Sequence, residues 1–190
     1  KRQVLCYCLF LFTRFTPYIT EDSAQYIVLA QALRNEGAYK MLNFPHEPPC
    51  EYYPPLWPLL LSSFVKEEPN IFPLTTLSYI LLLFTLLCLI LVIKDERGFI
   101  LALLLFSFNP YFLYLRTQLL SEPLFLILLY LAISFALGYL KSGKLSYLVL
   151  ASICLGLDYM TRYIGLVILF AFMLYLYSNK ERRDIRALIL

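Results

Sequence analysis

Two adjacent carboxylates, Glu21 and Asp22, stand in the stretch TEDSAQY, with Asp22 four residues ahead of Tyr26. Further along, acids and guanidinium groups recur near one another: Arg116 and Glu122 in RTQLLSE, Asp158 and Arg162 in DYMTR. A carboxylate beside an acceptor hydroxyl takes its proton as a general base. An arginine grips a phosphate through two parallel hydrogen bonds. Each also has a plainer role. Acids at a helix start favour its positive end, and Asp158 and Arg162, at i and i+4, pair if their segment stays helical. His46 is the only histidine of the chain, which argues against a histidine-built metal site. Cys6, Cys8, Cys88 and Cys154 fall in apolar runs, where cysteine acts as a small hydrophobe. Cys50 stands outside them, and no disulfide or metal-ligand spacing is present.

The elements that position these groups are apolar. The 190 residues are 61% hydrophobic and only 15% charged, with a mean hydropathy of +0.70. Runs of about 20 apolar residues match a hydrocarbon core of about 30 Å. Six spans are expected, over residues 3–15, 72–93, 99–115, 123–140, 145–160 and 165–177. The fold class is therefore an all-α multi-pass membrane protein. Lys1 and Arg2 with the segments 94–98, 141–144 and 179–186 hold ten basic residues and four acids. The intervening segments hold six basic residues and nine acids. The excess of Lys and Arg in short loops places the first set in the cytoplasm, and TEDSAQY on the outer face. The first apolar run lacks a small-residue cleavage site, so it reads as a retained helix. The chain starts without Met and stops within the apolar ALIL. It is expected to be the amino-terminal part of a longer protein.

The first outer segment, residues 20–66, is expected to be a structured cap. Tyr26, Leu29, Ala30 and Leu33 follow helical spacing, Thr20 suits the N-cap, and Gly37 the C-terminal end. This amphipathic helix is too polar to span and is expected to lie in the membrane plane. Seven prolines between Pro45 and Pro69 impose extended, irregular chain. A second in-plane helix is expected from about Leu56 to Val65, with Tyr52, Tyr53 and Trp57 at interfacial level.

EDSAQYIVLAQALRNEG, then YPPLWPLLL, then SEPLF and TRYIGL, in that order and all on the outer side, resemble the GT-C class of polytopic glycosyltransferases. Within it the likeness is to dolichyl-phosphate-mannose–protein mannosyltransferase-like enzymes and their bacterial sugar-transferring relatives, over roughly residues 1–178. The resemblance implies two outer in-plane helices above a membrane-side cavity. It also implies a polyprenyl-phosphate-linked sugar donor, an acceptor glycan, lipid or protein, and an Asp base in the first outer loop. The acid-x-x-x-Tyr spacing selects Asp22; many relatives carry Asp-Glu where this chain has Glu-Asp, so Glu21 is the reserve. No metal is implied, since the first loop lacks Asp-x-Asp.

The function expected is transfer of a sugar to an acceptor hydroxyl at the extracytoplasmic face, in a cell membrane or the endoplasmic reticulum. Arg116, Arg162 and Glu122 would serve the donor phosphate, and Tyr26, Tyr52, Tyr53, Trp57 and His46 would line the substrate cavity. A single positioned carboxylate suits inversion. The alternative is a non-enzymatic transporter or flippase of lipid-linked sugars. That class places charges and helix breaks at mid-membrane, whereas here the acids gather at helix ends.

Overall fold

A computed structural model describes residues 19–65, 71–93, 95–115 and 118–178, and among these every regular element is a helix. Helix α1 spans Glu21–Glu36 and α2 Leu56–Ser62. A bundle follows: α3 Ile71–Val92, α4 Glu96–Phe108, α5 Pro110–Leu115, α6 Glu122–Ser142, α7 Leu145–Thr161 and α8 Gly165–Ser178. Helices α3 and α6 are long and apolar enough to cross a membrane, and α7 and α8 are shorter apolar helices. The span expected at 3–15 lies outside the described residues.

Local chemistry sets the ends of α1 as expected. The Thr20 hydroxyl accepts from the Ser23 N–H at 3.4 Å, and Gly37, at φ +66°, donates its N–H to the Leu33 carbonyl. Helix α2 stops three residues earlier than its apolar run. The Arg34 guanidinium of α1 donates to the carbonyls of Ser62 and Val65 at and just beyond this end.

The expected span 99–115 is two helices. Asn109 is extended (φ −73°, ψ 121°) and Pro110 starts α5. Proline lacks an N–H and disfavours helical conformation in the residue before it. The Asn109 side chain then accepts from the Tyr111 N–H at 2.9 Å and starts the new helix. Asp95 caps α4 by accepting from the Gly98 N–H at 2.7 Å, so that helix begins three residues before the expected boundary.

Helix α6 is the hub, packing on both α3 and α7, while α8 packs on α7. Gly143, at φ +68°, closes α6 and reverses the chain into α7. At the opposite end of α7 the reversal depends on Gly165. A Cβ there would lie 2.7 Å from the Tyr159 amide nitrogen.

The polarity of α3 is inverted relative to a soluble amphipathic helix. Ile80, Phe84, Leu87 and Leu91 face outward. Ser78 and Thr85 face inward, donating to the carbonyls of Gln118 and Pro123, each at 3.1 Å. Hydroxyl-to-carbonyl bonds of this kind join helices in an apolar medium, where outward hydrocarbon meets lipid.

The cap of α1 and α2 is packed onto this bundle. Tyr26, Ile27 and Ala30 of α1 and Trp57 and Leu61 of α2 form one buried cluster with Val65, Leu74, Leu115, Leu119 and Leu120. A buried polar bond fixes the contact, since the Ser23 hydroxyl accepts from the Leu119 N–H at 3.2 Å.

Candidate active site

Three chain segments meet beside Tyr26: the start of α1, the start of α6 and the residues after α7. Asp22 stands exposed in the first turn of α1, where helix geometry favours a carboxylate. Its Oδ1 accepts from the Tyr53 hydroxyl at 2.8 Å. Tyr53 also meets Tyr26 edge-on, with ring centroids 5.1 Å apart. The Tyr26 hydroxyl lies 3.2 Å from the Ser121 hydroxyl, one residue before Glu122.

Glu122 opens α6 and forms an ion pair with Arg162, while its Oε1 also accepts from the Tyr111 hydroxyl at 3.0 Å. Its other oxygen is buried without a hydrogen bond among the described residues. The Tyr26 phenol is raised above its ordinary value, first by burial. It also feels the charges of Glu122, Arg162 and Asp22. Burial likewise raises the Tyr53 phenol, with Asp22 adding to the effect. Tyr53 is therefore a neutral donor to the carboxylate at ordinary pH.

The pairing of Asp158 with Arg162 does not form. Helix α7 ends at Thr161 and Arg162 is extended (φ −150°, ψ 136°), so the one-turn spacing of a helix no longer holds. Only the backbone joins them, Arg162 N–H to Asp158 carbonyl at 2.9 Å. The guanidinium turns instead to Glu122. Asp158 is fully buried, and neither carboxylate oxygen makes a hydrogen bond among the described residues.

The remaining expected residues separate into groups. Glu21 is exposed beside Asp22. Trp57 is wholly buried in the packing between cap and bundle, so it shapes the site from beneath. Tyr52 is 82% exposed, and His46 lies on the exposed loop with φ +65°. Arg116 lies outside the described residues. Tyr111, Ser121 and the Tyr53–Asp22 bond were not anticipated. The tyrosine-rich flanks of the charged residues are their only sequence trace. Among the described residues no group of three or more His, Cys, Asp or Glu side chains is placed to hold a metal ion.

Long apolar helices that end in a cluster of acids, tyrosines and an arginine define a helical membrane protein with a polar site at its helix ends. The model of the dolichyl-phosphate-mannose-protein mannosyltransferase family matches residues 53–190, and the chain belongs to that family of membrane glycosyltransferases. The matched stretch holds Tyr53, Glu122 and Arg162; Asp22 precedes it and is tied to it by the Tyr53 bond. Neither the curated proteins nor the solved structures offer a match to this chain.

Proposed function

We propose that this chain forms a membrane unit of about six spans in a GT-C glycosyltransferase. In this reading it moves a sugar from a polyprenyl-phosphate donor to an acceptor hydroxyl at the extracytoplasmic face. The observation that carries the proposal is the Tyr53 bond to Asp22, which brings an acid from outside the family match into the same cluster as Glu122 and Arg162.

Asp22 is the base. Its carboxylate is exposed, whereas Glu122 is already engaged by Arg162 and Tyr111. The acceptor oxygen attacks the anomeric carbon from the face opposite the phosphate and gives its proton to Asp22. The bond from the anomeric carbon to the phosphate oxygen breaks, and the polyprenyl phosphate leaves with that electron pair. One new glycosidic bond forms with inversion. Arg162 receives the leaving phosphate, for which Glu122 holds the guanidinium in place beforehand. No step requires a metal, so chelation should leave turnover unchanged.

The test is sugar transfer by the full-length protein carrying Asp22→Asn, with folding checked separately. Loss of a proton-accepting group is expected to lower turnover by about 100-fold or more. Near-normal turnover in a folded variant would remove Asp22 from the mechanism.

A further inference from the structure

A hollow of about 390 Å³ opens on the loop between α1 and α2, lined by Met41, Phe44, Pro48, Pro49, Glu51 and Tyr52. We infer that this hollow is the acceptor subsite and takes a neutral sugar ring of an acceptor glycan. The inference rests on the transferase reading above, but its ligand chemistry is argued independently.

The hollow is rigidly built. An antiparallel bridge joins Lys40 to Pro49, and the Met41 and Cys50 N–H groups donate to the Pro48 and Tyr39 carbonyls. Lys40 is clamped between Glu36 and Glu47. His46 and Glu47 both sit at positive φ (+65° and +45°), strained backbone that persists only where its surroundings impose it. Its size falls at the lower end of the about 300–1,000 Å³ typical of small-ligand sites.

The lining selects among acceptors. Tyr52 (82% exposed) and Phe44 (47%) offer electron-rich ring faces, against which the C–H face of a sugar packs. Glu51 is the charged side chain at the rim, and an ionised carboxylate only accepts hydrogen bonds, as sugar hydroxyls require. The lining holds no basic residue to pair with an anionic acceptor.

The hollow is also coupled to the catalytic cluster. The Glu51 carbonyl accepts from the Tyr163 hydroxyl at 2.9 Å, next to Arg162. The Tyr39 hydroxyl donates to the Tyr53 carbonyl at 2.7 Å, next in the chain to Tyr52 and on the residue that holds Asp22.

The experiment uses the purified full-length protein in two arms. Saturation-transfer NMR with mannobiose, without donor, reads binding; steady-state transfer from dolichyl-phosphate-mannose to mannobiose reads KM. Tyr52→Ala is expected to abolish the mannobiose signal and raise the acceptor KM about tenfold, the loss of one ring contact, with the donor KM unchanged. Tyr52→Phe, which keeps the ring, should restore both, and Glu51→Gln should raise only the acceptor KM. A mannobiose signal indifferent to Tyr52→Ala would overturn the inference, as would efficient use of an anionic acceptor in its place. Tyr52-dependent mannobiose binding without any transfer would sink the transferase reading and leave the sugar site standing.

Discussion

At the scale of single residues, the Tyr53–Asp22 bond makes the sharpest claim. Tyr53→Phe removes a donor to a charged acceptor, a bond worth about 1.5–3 kcal/mol where buried and less at this exposed carboxylate. Turnover should fall about fivefold to tenfold with donor KM steady, as single-turnover kinetics would show. The same phenol gives a pH signature. Its folded pKa lies above the ordinary 10.0, through burial first and Asp22 second. The stability it contributes is therefore fully present below about pH 10 and is lost as pH climbs towards the folded value. A melting-temperature scan should hold level to about pH 10 and then decline, less steeply in Tyr53→Phe. Arg162→Ala should weaken donor binding more than acceptor binding; equal effects on both would count against a phosphate role. Asp22, Glu122 and Arg162 stood out in the sequence because charge is conspicuous in a chain that is 15% charged, and Tyr26 through its spacing from Asp22. Tyr53 was legible only as an aromatic, since its bond reaches back 31 residues from the end of a proline-rich loop whose path no local rule specifies. The pairing of Arg162 with Asp158 was conditional on a continuous helix, and the helix has already ended at Thr161.

At the scale of elements, helix ends followed local rules wherever the cap lay in the neighbouring residues. Thr20 and Gly37 bounded α1 as read. The interruption at Asn109–Pro110 was written in the sequence as an Asn-Pro dipeptide, a turn signal that the continuous hydropathy of 99–115 masked. The Arg34 bonds at the end of α2 were not readable at all, because their donor sits on another helix. The turn from α7 to α8 yields a prediction of its own. A methyl at position 165 meets backbone at 2.7–2.9 Å, which cannot yield as a side chain would. Gly165→Ala should therefore cost about 1–3 kcal/mol of stability, read as a lower unfolding temperature in detergent. Because Arg162 sits in that turn, its transfer activity should fall as well. An unaltered melting profile would show that the turn relaxes freely.

At the scale of the whole molecule, the bundle and the cap form one body through Ser23, Leu119 and the apolar cluster around Trp57. Ser23→Ala leaves the buried Leu119 N–H without its acceptor and should cost about 1–3 kcal/mol, measured by thermal unfolding of the purified protein. The proposed topology is checked by labelling intact cells with a membrane-impermeant maleimide. With the native Cys50 of the same loop replaced by serine, cysteine introduced at the exposed Tyr52 should react at once, whereas one at the exposed Ser142 should react only after permeabilisation. The reverse order would invert the protein in its membrane. One further consequence follows from burying the chain's single tryptophan where cap, bundle and the helix before the site converge. Trp57 is a built-in optical gauge. With its indole sealed from water, its emission should lie to the blue in the resting protein. Any ligand that pries the cap from the bundle should shift it to the red, whereas one that enters without lifting the cap should leave the colour alone.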